Sequence, residues 1–205
     1  MFKIAVLISG GGSNLSSIIN EIEKGNINAK IECVISDRPG ALGLERAETK
    51  GINTFVVDRK VYGSESSDKI LEILRGKVDL IVLAGYLSIL QGDFIKEFNN
   101  KIINIHPSLI PSFAGPGMYG LKVHEAAIKK GVKFSGCTVH FVNEEVDGGA
   151  IIAQAMVPVY FEDDAKTLQQ RILREEHRIL PKVVKAISEG RILVEYGKAK
   201  ILELN

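Results

Sequence analysis

The stretch VDLIVLAGY, Val78 to Tyr86, decides the fold. After Asp79 it is apolar without a break from Leu80 to Ala84. A strand with one wet face alternates apolar and polar residues. A run apolar at every position is buried on both faces, as in a parallel sheet covered by helices. Similar units surround it. FKIAVLI (Phe2–Ile8) precedes a helical pattern from Ser13 to Lys24, and KIECVIS (Lys30–Ser36) precedes one from Ala41 to Lys50. NTFVVD precedes a helix near Ser66–Arg75, and Val78–Tyr86 leads through a short helix to KIINIH (Lys101–His106). Strands alternating with helices imply parallel βαβ units.

The second half changes character. GLKVHEAAIKKG reads as helix, and FSGCTVHFV (Phe134–Val142) and AIIAQAMVPVY (Ala150–Tyr160) read as long antiparallel strands. A long helix is expected from about Asp164 to Glu189, kinked or interrupted before Pro181. RILVEYGKAKILEL suggests a final hairpin. No repeat, low-complexity stretch or linker divides the 205 residues, so the expectation is one α/β domain over 1–205.

Composition narrows the function classes. Hydrophobic residues make up 45%, enough for a sizeable core, and the net charge is only +1 with no run of like charges. That gives no support for a nucleic-acid-binding face. The two cysteines, Cys33 and Cys137, form no CxxC pair, which fits a reducing compartment and argues against a disulfide framework. The first apolar run is far too short to span a bilayer and lacks the basic leader and cleavage site of a signal peptide. The default expectation is a cytoplasmic protein with no membrane partner.

Three motifs carry chemistry. SGGGSNL (Ser9–Leu15) joins the first strand to the first helix. Its glycines allow close backbone approach, and a helix N-terminus presents free N–H groups, a combination that suits a phosphate. Gly10 and Gly12 match a dinucleotide fingerprint, but Leu15 stands in place of the third glycine and no Gly-Lys follows, so a single phosphate fits better than a dinucleotide or ATP. The competing reading is a tight turn with Ser13 as N-cap. NIHPSLIP (Asn104–Pro111) ends a strand of the parallel sheet, where ligands bind. Residues two apart share a strand face, so Asn104 and His106 point the same way. A carboxamide donor and an imidazole together suit a developing oxyanion and a proton in transit. VDGG (Val146–Gly149) is a strong hairpin turn. If Asp147 approached His106, its carboxylate would favour the charged imidazole.

Other candidates are weaker. His124-Glu125 begins like a zincin helix, but Ile128 occupies the second histidine position. Cys137 and His140 lie on opposite strand faces, and Cys137 reads as a small buried hydrophobe. Glu175-Glu176-His177 lies mid-helix, where a solvated charged face is the ordinary explanation.

In combination, ISGGGSNL, VLAGYLSIL, NIHPSLIPSF, GCTVHFV, VDGG and REEHRILP resemble, in this order and along essentially the whole chain, the glycinamide ribonucleotide formyltransferases. The NIHPSLLP-type motif recurs across folate-dependent formyltransferases; the glycine loop and the REEH segment narrow the choice. The resemblance implies a mostly parallel, Rossmann-like sheet with flanking helices and an antiparallel C-terminal part. It places phosphate binding in a half of about 1–100, and catalysis and folate binding in a half of about 101–205. It implies direct transfer of the formyl group of 10-formyltetrahydrofolate, a co-substrate, to the amine of glycinamide ribonucleotide in de novo purine (IMP) biosynthesis, without a metal.

By the same resemblance Asn104, His106 and Asp147 are catalytic. His106 is the general acid, Asn104 holds the oxyanion, and Asp147 sustains the charged imidazole and orders a water. Gly12, Ser13 and Asn14 match the nucleotide phosphate loop, and Glu176 the acid at the ribose hydroxyls. Leu87, Ser88, Ile89 and Leu90 match one wall of the folate pocket, shared with Asn104; Val142, Asn143, Glu144 and Glu145 match the other. The chain departs from many relatives at Ser88, where they carry Arg, and a second family Arg near the folate's glutamate tail aligns with Ser64. The GPGMYGLKVHE loop is longer than in some relatives and is placed to cover the site. Methionyl-tRNA formyltransferases and formyltetrahydrofolate deformylases share the core but carry an extra domain, whereas here the catalytic fold is expected to begin at Met1. The expected partners are therefore small molecules, with a monomeric or homodimeric protein.

Overall fold

The computed structural model describes residues 1–203. In chain order the elements are β1 (Phe2–Ile8), α1 (Ser13–Glu23), β2 (Ala29–Ser36), α2 (Leu42–Glu48), β3 (Asn53–Val56), α3 (Arg59–Tyr62), a 3₁₀ turn (Gly63–Glu65), α4 (Ser66–Leu74) and β4 (Leu80–Leu83). There follow α5 (Asp93–Glu97), β5 (Ile102–His106), α6 (Leu121–Lys130), β6 (Phe134–Phe141), β7 (Ile151–Pro158), α7 (Ala165–Ser188), β8 (Ile192–Glu195) and β9 (Lys198–Ile201). Seven strands form one sheet in the order β3-β2-β1-β4-β5-β6-β7. The first five in chain order are parallel, and β6 and β7 run antiparallel.

Strand alternation divides the core into two layers. Ile4, Val6 and Ile8 of β1, Leu80 and Val82 of β4, and Ile103 and Ile105 of β5 face one side. There they meet Leu15 and Ile18 of α1, Leu44 of α2 and Ile172, Leu180 and Val184 of α7. Ala5 and Leu7, Ile81 and Leu83, and Ile102 face the other side, against Ile70 and Leu74 of α4 and Phe94 of α5. Both faces of β4 are thus buried, as the unbroken apolar run of VDLIVLA requires. Asn104 and His106 share the face of Ile102.

The strand order reverses between β1 and β4, because the chain runs outward through β2 and β3 and then returns to the other side of β1. The crevice beyond the carboxyl ends of such a pair is where open α/β sheets bind ligands. Ser9, just after β1, ties its two rims together: its N–H donates to the Gly85 carbonyl (3.1 Å), and its hydroxyl accepts from the Leu87 N–H (2.8 Å).

Several local expectations change. α7 runs unbroken through Pro181, although that ring removes one backbone donor. Ile179, Leu180, Pro181, Val183 and Val184 are all buried, so packing of the apolar face outweighs the lost bond. The α1 N-cap is Gly12, left-handed at φ 70°, not Ser13, and no side chain caps the helix. A Cβ at Gly12 would stand 2.6 Å from the Gly43 Cα, so the close approach of two loops also demands glycine there. β8 and β9 pair through Tyr196 and Gly197, both at positive φ, as a two-residue hairpin turn requires. The expected hairpin reached Leu204, which lies outside the described residues.

Candidate active site

The register of β5 and β6 builds the centre. Asn104 faces His140, and His106 faces Thr138, across the antiparallel pair. The Asn104 Nδ2 lies 3.1 Å from the His140 Nε2, while the His140 Nδ1–H donates to the Phe141 carbonyl at 2.8 Å. Nε2 of His140 is then the acceptor, and one amide hydrogen of Asn104 is committed to it. The second hydrogen has no partner among the described residues. Thr138 fixes the segment after β5 by donating to the Ser108 carbonyl (2.7 Å) and accepting from the Ile110 N–H (3.1 Å).

Asp147 arrives from the loop between β6 and β7, at φ 57°. One carboxylate oxygen lies 3.6 Å from the His106 Nδ1, the other 3.6 Å from the His140 Nε2. The loop after β5 closes the group: the His106 Nε2 pairs with the Phe113 carbonyl (2.9 Å), and the Gly115 N–H donates to Asp147 (2.9 Å). A backbone carbonyl accepts only, so Nε2 carries a proton and Nδ1 is the nitrogen left to work.

Burial sets the electrostatics. His106 is 4% exposed, and that burial lowers its pKa below the usual imidazole value, partly offset by the Phe113 carbonyl and by Asp147. The carboxylate does favour the charged ring, as expected from the sequence, but desolvation outweighs it. For Asp147, burial pushes upward, yet the Gly115 N–H, together with His140 and His106 whenever either ring carries charge, holds its pKa below the usual carboxylate range.

Two hollows meet at this centre. One, of about 300 Å³, is lined by Leu87, Ser88, Ile89, Leu90, Asn104, His140, Asp147 and the segment Val142–Glu145. The other, of about 370 Å³, is lined by Ser13, Asn14, His124, Gln169, Leu173 and Glu176. Tyr86, Leu87, His106, Met118 and Tyr119 line both. The Gly115–Gly120 segment therefore forms a partition with one hollow on each side, rather than only a cover.

At the far end of the second hollow, α1 presents uncapped N–H groups behind Gly12, a ready anion site. Asn14 donates to Glu176 at 2.7 Å. Glu176 is 8% exposed and its pKa is raised by burial, with the Asn14 bond opposing. The ordinary explanation of its segment as a solvated charged face is thus wrong for Glu176: it lies on the inner face of α7. Neighbouring His177 lines a third hollow, of about 340 Å³, with Ser13 and Arg46, next to the same helix start.

Ser64 is not brought to either hollow. It lies exposed in the 3₁₀ turn, and Arg59 lines the first hollow instead. Asp58 caps α3 by accepting the Lys60 N–H (2.8 Å), and the Arg59 N–H donates to the Asp37 carbonyl (3.1 Å). This pins Arg59 at the rim and sends Ser64 outward. Reasoning from sequence set His140 and His177 aside as weaker candidates and did not single out Arg46. His140 was legible only through its register with Asn104. Both cysteines are buried, which pushes the thiol of Cys33 up to about 11 and that of Cys137 up to about 12, so neither offers a thiolate. Among the described residues no group of three or more His, Cys, Asp or Glu is placed to hold a metal ion, and no helix is long and apolar enough to cross a membrane.

Comparison with known proteins follows the same lines. The family described as Formyl transferase matches residues 2–184. Phosphoribosylglycinamide formyltransferase of Haemophilus influenzae is 48% identical over 195 residues, covering 94% of this chain and 90% of that protein. The trifunctional purine biosynthetic protein adenosine-3 of Gallus gallus is 46% identical over 202 residues, 96% of this chain but only 19% of that longer protein. Among solved structures, glycinamide ribonucleotide transformylase 1 of Symbiobacterium toebii superposes with a TM-score of 0.93 at 43% identity, covering 99% of this chain and 95% of that one.

Proposed function

The chain belongs to the formyl transferase family, and from that membership we propose how its two hollows divide the reaction. It transfers the formyl group of 10-formyltetrahydrofolate to the amine of glycinamide ribonucleotide, in purine biosynthesis. The folate occupies the hollow walled by Leu87–Leu90 and Val142–Glu145, with Arg59 as the rim cation for its carboxylate tail. The nucleotide occupies the other, with phosphate on the uncapped start of α1 and sugar at Glu176. The observation that carries this reading is that His106 stands in the wall of both, so donor and acceptor meet at one imidazole. We take 1–205 as one formyltransferase domain, since the hollows draw walls from both halves of the chain.

The amine nitrogen attacks the formyl carbon and forms a tetrahedral intermediate. Its oxyanion accepts a hydrogen bond from the second Asn104 amide N–H. His106, mostly neutral at rest, accepts the proton the amine loses, directly or through water, on Nδ1. The resulting imidazolium lies 3.6 Å from the Asp147 carboxylate, which stabilises it. It returns the proton to the folate nitrogen as the carbon–nitrogen bond breaks. Atoms and charge balance, and no enzyme-bound formyl is needed.

The test is formyl transfer to glycinamide ribonucleotide, with water and Met-tRNA as competing acceptors. The nucleotide should be the acceptor, and His106→Ala should lower kcat by about 10²–10³-fold with the fold intact. A near-normal kcat in that variant removes His106 from the centre.

A further inference from the structure

One histidine of the acceptor hollow has no part in the steps above. His124 stands in the first turn of α6, is 1% exposed, and lines that hollow with His106 and Glu176. Its Nδ1 is enclosed and has no hydrogen-bond partner among the described residues.

We propose that His124 recognises the glycinamide carbonyl of the acceptor, donating its Nε2–H to that oxygen and so setting the amine in line for attack. This rests on the nucleotide reading of the hollow given above.

A charged His124 would bury two N–H groups, one with no partner, beside the positive end of a helix and near His106. Burial first, and His106 second, bring its pKa down from 6.5 to about 4, so the ring is neutral under working conditions. Of the neutral tautomers, protonation at Nδ1 would bury an orphan donor. Protonation at Nε2 leaves only an unused lone pair there, which costs less. The enclosed Nδ1 cannot meet a ligand, so Nε2–H is the group turned to one.

Glycinamide ribonucleotide runs phosphate, sugar, carboxamide, methylene, amine. Its phosphate lies at Gly12–Asn14 and its sugar at Glu176, whose inner face of α7 also carries Gln169 and Leu173. The amine lies at His106. The segment between sugar and amine is the carboxamide, whose oxygen needs a donor on a short span of wall. Asn14 is committed to Glu176 at 2.7 Å, and a neutral imidazole N–H near His106 fits the need. A neutral donor also leaves the nearby His106 free of added positive charge when it must take up a proton.

The experiment uses the full chain, by calorimetry, with two probes: glycinamide ribonucleotide and ribose 5-phosphate, which lacks the carboxamide. His124→Phe should weaken the first by about 3- to 10-fold, the worth of one neutral hydrogen bond, and leave the second unchanged. His124→Gln, whose amide nitrogen reaches the Nε2 position, should retain much of the discrimination. In wild-type protein, ¹⁵N spectra should show His124 protonated at Nε2, with that resonance moved by the nucleotide and not by ribose 5-phosphate. A folded Phe variant that binds both probes as wild type does, or loses both equally, overturns the proposal. So does an Nδ1-protonated ring in the wild type, a measurement that decides the matter even if the Phe variant does not fold. If wild type binds neither probe, the nucleotide reading of the hollow fails and this proposal with it; if it binds both, only the role of His124 is at stake.

Discussion

Asp147→Asn separates chemistry from turn geometry. Asp147 sits at φ 57° in the β6–β7 loop, a conformation Asn adopts as readily as Asp. An Asn oxygen can still accept the Gly115 N–H that Asp147 now accepts at 2.9 Å. What disappears is the negative charge, 3.6 Å from the working nitrogen of His106. Two unit charges about 4 Å apart interact by about 4 kcal/mol at an effective dielectric constant of about 20, which is close to 10³-fold in the imidazolium formed during transfer. Rearrangement of water and the remaining dipoles reduce this, so kcat should fall by about 10²–10³-fold. Stability should drop by no more than about 1–2 kcal/mol, since one charge-assisted bond becomes neutral. The acid limb of the rate profile should move to lower pH, because burial then acts on His106 with less opposition. The assay is steady-state formyl transfer from pH 5 to 9, beside denaturant unfolding of both proteins. A stable Asn variant with ordinary kcat and an unmoved profile would refute the argument, leaving Asp147 as a turn residue.

Arg59→Ala should raise KM for a polyglutamylated folate several-fold and act less on a folate without the tail, whereas Ser64→Ala should leave both unchanged; steady-state kinetics with the two folates reads this. Glu176→Gln should weaken nucleotide binding while raising the unfolding midpoint at pH 7, because an acid whose folded pKa is raised contributes stability below its unfolded value and loses it as pH rises. The histidines act in the opposite window. His106, His124 and His177 all have lowered folded pKa values, so their contributions are complete above about 6.5 and are lost as pH falls. His124, carried from 6.5 to about 4, is worth up to about 3 kcal/mol, and urea midpoints should decline between those pH values, less so in His124→Phe.

What the sequence made legible is what local pattern controls. The unbroken apolar run of Leu80–Ala84 revealed a doubly covered strand, and alternation alone put Asn104 and His106 on one face. The remainder depends on contacts distant in sequence. His140 becomes part of the centre only through the pairing of β6 with β5. Glu176 reads as one of several mid-helix charges until the face of α7 that meets α1 is known, and then its partner is Asn14, 162 positions earlier. Arg59 and Ser64 are five residues apart, and a capped turn that no periodicity announces decides which one reaches the hollow. Pro181 would end an isolated helix, but here the buried residues around it hold the helix through.

The same dependence on distant contacts accounts for Ser88. Its hydroxyl donates to the Asp37 carboxylate at 2.7 Å, and Asp37 is 4% exposed. A carboxylate that deep needs donors and a compensating charge. Here the charge comes from Arg38, its next neighbour in sequence, at 3.1 Å, and Ser88 supplies a second donor. With its hydroxyl held by Asp37, Ser88 lines the first hollow beside Leu87, Ile89 and Leu90, whose side chains are apolar. Ser88 therefore serves the buried carboxylate behind the wall rather than offering a free hydroxyl to the hollow.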